Sequence, residues 1–203
     1  KCDWREATDE LGTRFEIGFN TYKPFACGIV VHPAIEACTR LREQGISAEQ
    51  VTRIELEVHP LVLELTGKKE PADGLSAKFS VYHACAAGLV FGRAGEAEFA
   101  DAVVARPDLV ALRRKVVARA DARIAEDAVE LRATLADGRV VAVSIDHAVG
   151  SLLRPMSDSA LDAKCHDLMD PILGAARATE VIATARVAAT LNDLHELVSL
   201  TRP

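Results

Sequence analysis

The sequence predicts an α+β fold, with a mainly antiparallel sheet and packed helices, followed by an all-helical C-terminal segment. Three observations predict it. Residues 52–58, 128–135 and 140–145 carry the strand pattern, clearest in the alternating apolar and charged side chains of 52–58. Asp137-Gly138 lies between the last two stretches, and residue types that tolerate positive φ there signal a hairpin. From Ser159 onward the apolar spacing becomes helical and no strand pattern returns.

In chain order, residues 13–19 put Phe15, Ile17 and Phe19 on one face, so a first strand is expected there, broken by residues 20–24. A helix is expected from His32, with Pro33 at the first helical position, where its missing N–H costs nothing. Ile35, Cys38 and Leu41 recur at helical spacing, and Gly45 ends the run. In 52–58, Ile54, Leu56 and Val58 face one way while Arg53, Glu55 and Glu57 face the other, and His59-Pro60 closes the strand. Residues 65–75, with Gly67, Lys68, Lys69, Pro71, Asp73 and Gly74, read as a polar loop. A second helix is expected over 77–90, ending at Gly92. Its small apolar residues run nearly all round, so it belongs deep in the fold. A short helix follows Pro107, and 116–120 is a further strand. Residues 152–157, with Pro155, read as a linker. Beyond it come a helix over 159–169, another starting at Pro171 and running through Val187, and a final amphipathic turn with Leu191, Leu194 and Leu197. This divides the chain into an α+β unit, residues 1–150, and a helical segment, residues 151–203.

Of the 203 residues, 49% are apolar and 27% charged, which allows a buried core and argues against disorder. Aromatic content is low, so Ala, Val and Leu do most of the packing. The net charge is −6, and Arg113-Arg114-Lys115 is too short a basic run for a nucleic-acid footprint. Neither nucleic acid nor membrane is expected as a partner. A small anion stays open, because a local cluster of cations can sit inside an acidic protein. The five cysteines, Cys2, Cys27, Cys38, Cys85 and Cys165, form no CxxC pair, so zinc-ribbon and thioredoxin readings have no support. Reduced thiols in a cytoplasmic protein fit best. No apolar run approaches the ~20 residues of a membrane span. The chain opens at Lys1-Cys2-Asp3-Trp4, as a piece of a longer protein would.

Two stretches carry chemistry. Lys23 stands after a strand pattern and just ahead of the helix that begins at His32. A cation beside the positive end of a helix makes a carboxylate pocket, and a histidine near a lysine can stay neutral and accept a proton. The alternative is a solvated Lys23 and a His32 that caps or packs. In the second stretch, Lys78-Phe79-Ser80-Val81-Tyr82-His83, a tyrosine and a histidine open an apolar helix. Tyr82 can donate to a developing anion and His83 can shuttle a proton. Side chains at i and i+1 point about 100° apart on a helix, so the two do not share a pocket. The competing reading puts Tyr82 in the core and hydrogen-bonds His83 internally. Cys27 with His32 is too few ligands for a metal, and none is expected. His59, His147, His166 and His195 read as surface or capping residues. No P-loop, dinucleotide fingerprint or Gly-x-Ser-x-Gly elbow is present.

The run Tyr22-Lys23-Pro24-Phe25-Ala26-Cys27-Gly28 with His32-Pro33-Ala34-Ile35-Glu36-Ala37 resembles a signature of the MmgE/PrpD (2-methylcitrate dehydratase-like) family. Ala77-Lys78-Phe79-Ser80-Val81-Tyr82-His83 resembles a second signature, and Arg154-Pro155-Met156-Ser157 followed by Lys164 a third, looser one. The similarity runs over nearly the whole chain in the expected order. It implies a longer enzyme in which a smaller α+β lid is inserted into a large helical domain, with the active site in the cleft between them. This chain would be the lid and the returning helices. The family's activities include dehydration of 2-methylcitrate, decarboxylation of cis-aconitate and epimerisation of iminodisuccinate. All remove a proton beside a carboxylate, without metal or organic cofactor, and members tend to be homodimers.

By that resemblance Lys23 and Lys78 bind substrate, and Lys23, His32, Tyr82 and His83 are the catalytic candidates. His83 takes the place of the second motif's tyrosine, and Tyr82 that of its proline. Gly28 stands where some decarboxylase members carry a histidine, which speaks against decarboxylation. The implied function is a cytoplasmic hydro-lyase acting on a small polycarboxylate, inactive as this piece alone. The alternatives are a small-acid binding module and a dimerisation fragment.

Overall fold

The structure, a computed structural model, describes residues 3–5 and 8–202; Lys1 and Cys2, at which the chain opens, lie outside the described residues. Four strands, β1 (Val51–Val58), β2 (Val116–Ala120), β3 (Val129–Leu135) and β4 (Val140–Ile145), make one sheet in the order β2-β1-β3-β4. β1 pairs antiparallel with β3, and β3 with β4, while β1 and β2 run parallel. The sheet is therefore mixed. Parallel neighbours need a long crossover, and the helical chain between β1 and β2 supplies it.

Strand alternation sorts the two faces. Ile54, Leu56 and Val58 of β1, with Leu131 and Ala133 of β3 and Ile145 of β4, are buried against α1 (His32–Glu43) and α4 (Val81–Phe91). The opposite face is charged, with Glu55 pairing to Arg53 at 3.0 Å and to Arg119 of β2 at 3.3 Å. Pro33 occupies the first turn of α1, and Gly45 ends it in the left-handed region (φ +80°). There the Gly45 N–H donates to the Arg42 carbonyl and the Ile46 N–H to the Leu41 carbonyl, so the last turn's carbonyls are satisfied.

α4 is apolar nearly all round, as expected for a buried helix. Ser80 caps it: its Oγ accepts from the His83 N–H at 3.1 Å and donates to the Lys68 carbonyl at 2.5 Å. Gly88 marks its crossing with α1. A Cβ there would stand 2.7 Å from the Ile35 carbonyl oxygen and 3.1 Å from Cys38 Cβ.

Four local expectations change. Residues 13–19 form no strand: Glu16–Phe19 is a 3-10 turn, and Phe15, Ile17 and Phe19 are exposed. Alternation needs a neighbouring strand to satisfy the backbone, and here Gly18 and Asn20 donate locally to Phe15 and Ile17 instead. The stretch read as strand end and polar loop contains α2 (Pro60–Thr66), capped by His59 Nδ1, and α3 (Gly74–Ala77), capped by Asp73. The β3–β4 turn uses positive φ only at Gly138 (+86°), so its loop is one residue longer than a two-residue hairpin turn. Pro171 does not start a helix. It lies in the last turn of α7 (Asp158–Leu173), and the break falls at Gly174 (φ +80°), before α8 (Ala175–Arg186).

The short helices α5 (Asp101–Val104) and α6 (Pro107–Arg113) lead into β2, and α9 (His195–Leu200) closes the order. Among the described residues no helix is long and apolar enough to cross a membrane.

Gly88→Ala is expected to destabilise the protein by about 1–3 kcal/mol, the usual cost of overpacking, as a lower urea midpoint. Helix propensity alone would stabilise it by up to ~1 kcal/mol, and that result would refute so close a crossing.

Candidate functional site

Two segments distant in sequence are tied together by their main chains. The Gly28 N–H donates to the Lys78 carbonyl at 3.0 Å, and the Ala26 N–H to the Ala94 carbonyl at 3.0 Å. A Cβ on residue 28 would stand 3.1 Å from Thr66 Cγ2 and 3.5 Å from the Lys78 carbonyl oxygen, so a larger side chain there would press on this junction. From the other side Gly150, at φ +87°, leaves no room for a Cβ beside the Tyr22 carbonyl and the Pro24 ring. The segment that carries Lys23 is thereby fixed against the approach to α4 that carries Lys78.

Both lysines line one open cleft of about 390 Å³, with Phe25, Leu75, Phe79 and Leu168 as apolar wall. α7 adds Lys164 and Asp167, three residues apart and on one helix face. Arg93 joins α7 to the loop after α4, bonding the buried Glu98 at 2.9 Å and reaching Asp167 at 3.7 Å. Glu98 also accepts from the Gly95 N–H at 2.8 Å, which shapes that loop.

Charge is unevenly shared in the cleft. Lys78 Nζ sits between both oxygens of Glu96, at 2.9 and 2.7 Å. Among the described residues Lys23 Nζ makes only a long contact, 3.4 Å, to the Cys27 carbonyl. Lys164 has no ion-pair or hydrogen-bond partner among the described residues. The Cys27 thiol is pushed up to about 12 by burial, although Lys23 and Lys78 pull it the other way. It stays protonated at neutral pH and is no nucleophile.

His32, Tyr82 and His83 do not line this cleft. His32 is buried behind Phe25, whose ring meets it edge-on with centroids 5.3 Å apart. It faces a smaller cavity of about 140 Å³ beside Asp127 and Val149. Burial lowers its pKa to about 4, helped by the charges of Lys23 and Lys164 and opposed by a bond to the Cys27 backbone. Tyr82 faces a third cavity, of about 260 Å³, beside Arg113, Arg114 and β2, and burial raises its pKa. His83 is fully buried with Nε2 3.1 Å from the Glu98 carbonyl. A carbonyl only accepts, so Nε2 carries the proton, and burial keeps the ring neutral by lowering its pKa. Tyr82 and His83 thus diverge as the helical geometry requires.

Of the residues picked from sequence, Lys23 and Lys78 share the site. Lys164, Glu96 and Asp167 join it only in the structure, although Lys164 already stands in the third motif. Among the described residues no three histidine, cysteine or carboxylate side chains converge as a metal site requires. The family model of the MmgE/PrpD C-terminal domain matches residues 25–189 of the chain. No curated protein matches it.

The buried His32 carries a pH signature. Its folded pKa of about 4 lies below its ordinary 6.5, so folding favours the neutral ring. Its contribution is fully present above the ordinary value and is lost as pH falls through the window down to the folded pKa, by up to about 3 kcal/mol. Urea unfolding at pH 7.5 and 4.5 should show a smaller pH dependence for His32→Gln than for wild type. Equal dependence in both would contradict the burial of a neutral His32.

Proposed function

The chain belongs to the MmgE/PrpD family, and we propose that it serves a hydro-lyase-type enzyme that removes a proton beside a carboxylate of a small di- or tricarboxylic acid, 2-methylcitrate being the reference substrate. One observation carries this reading: three lysines converge on a single open cleft of about 390 Å³ with apolar walls. Ammonium groups fix a carboxylate by charge-assisted hydrogen bonds. When the proton on the adjacent carbon leaves, negative charge spreads onto that carboxylate, and a lysine already in place stabilises it without rearranging. Lys23 takes this role, Lys164 holds a second carboxylate, and Lys78, paired with Glu96, stands beside the place of a third. His32 and His83 act in this reading as neutral, buried framework groups, and the resemblance supplies the proton-removing group from another part of the family's chain.

A second reading, binding of a small acid without turnover, is favoured by the lining itself. No histidine or tyrosine is among the residues of the cleft, and Cys27 is held protonated. The family reading also carries a cytoplasmic homodimer, for which the exposed Ile172, Val187 and Val198 of the helical segment are a supporting feature.

The test is turnover of 2-methylcitrate and related acids by this chain joined to the family's other domain, compared between wild type and Lys23→Met, with calorimetry of binding. Loss of a charge-stabilising donor is expected to lower kcat/KM by about 100-fold. Unchanged turnover in the variant would overturn the role of Lys23. Binding that needs Lys23, with no turnover of any acid, would establish the second reading instead.

A further inference from the structure

The three cleft lysines are not equivalent. Lys78 is clasped by both oxygens of Glu96, whereas Lys23 touches only the Cys27 carbonyl at 3.4 Å and Lys164 has no charged partner among the described residues. Asp167, the other carboxylate of the cleft, is engaged by Arg93 at 3.7 Å rather than by a lysine. In the folded protein the cleft therefore presents two open ammonium groups, and a third closed by an internal anion.

We propose that Glu96 is a specificity-determining residue: by holding Lys78 it leaves Lys23 and Lys164 as a two-point anchor and favours dicarboxylates over tricarboxylates. The inference rests on the reading of the cleft as a polycarboxylate site. A dicarboxylate bridges Lys23 and Lys164 and leaves the Lys78–Glu96 pair intact. A tricarboxylate reaches Lys78 only by displacing Glu96, and until then its third carboxylate faces that like charge. The filter is mild, because the Glu96 side chain is 56% exposed and the Lys78 side chain 27%, so solvent screens the pair. Glu96 lies outside the helices, on the loop between α4 and the turn at Ala97–Phe99, so changing its charge leaves the core untouched.

The test is calorimetric titration of the protein with succinate, a dicarboxylate, and tricarballylate, its tricarboxylate counterpart, using wild type, Glu96→Gln and the double variant Glu96→Gln/Lys78→Met. Removing the carboxylate is expected to tighten tricarballylate by about fivefold, the size of a half-exposed ion pair, and succinate by less than about twofold. The double variant should lose the gain, since it depends on the freed Lys78. An equal gain for both acids, no gain for either, or a gain that survives loss of Lys78 would overturn the role of Glu96 while leaving the cleft a polycarboxylate site. Failure of both acids to bind wild type and Glu96→Gln would overturn the polycarboxylate reading itself, and this inference with it.

Discussion

The candidate site depends on one main-chain junction, the hydrogen bond from the Gly28 N–H to the Lys78 carbonyl, seconded by that from Ala26 to Ala94. Neither lysine lies in a regular element: Lys23 precedes α1 and Lys78 precedes α4. Segments of this kind lose considerable backbone entropy on ordering, and fixed hydrogen bonds to a rigid neighbour offset it. Here each segment is the other's neighbour, backed by α1, which Gly45 closes, and by α4, which Ser80 caps and Gly92 closes. The small size of residue 28 is part of the same constraint, because the Thr66 methyl and the Lys78 carbonyl already fill the space beside it.

Behind the junction, α1 and α4 act as partitions. α4 is buried almost entirely, so its polar groups turn to internal partners, although His83 Nδ1 finds none among the described residues. Ser80 caps the first turn and bonds the Lys68 carbonyl, and His83 reaches the Glu98 carbonyl. Glu98 in turn bonds Arg93, which reaches Asp167 on α7, so the histidine and the cleft are linked through one polar chain although His83 never meets the cleft. The arrangement leaves Tyr82 on one side of α4, the lysines on another and His32 behind Phe25. The polar residues of the motifs thus become members of three separate environments.

That separation marks the limit of what the sequence discloses. Strand alternation located β1, β3 and β4, because one face of the sheet is buried and the other carries Glu55 and its arginines. Pro33, Gly45 and Gly92 located the helix ends, since each acts through local backbone geometry. The Phe15–Phe19 pattern misleads for a physical reason: alternation reports the side-chain period and not the presence of a partner strand. The parallel β1–β2 pair stays hidden because it is made across a long crossover. In the site, Lys23 and Lys78 are legible from their motifs, whereas the place of Lys164 depends on how α7 docks through Asp167 and Arg93, a long-range contact. Tyr82 and His83 show that helical phase predicts divergence but not which cavity each side chain enters.

The central claim is that Lys23, Lys78 and Lys164 form one anion site. Protection of lysines from acetylation by a bound polycarboxylate, read residue by residue by mass spectrometry, tests it most directly. The account predicts that succinate or tricarballylate slows labelling at Lys23 and Lys164, and at Lys78 where Glu96 has been displaced, while Lys68 and Lys69 label as before. Protection confined to Lys68 and Lys69, or spread evenly over all lysines, would contradict it.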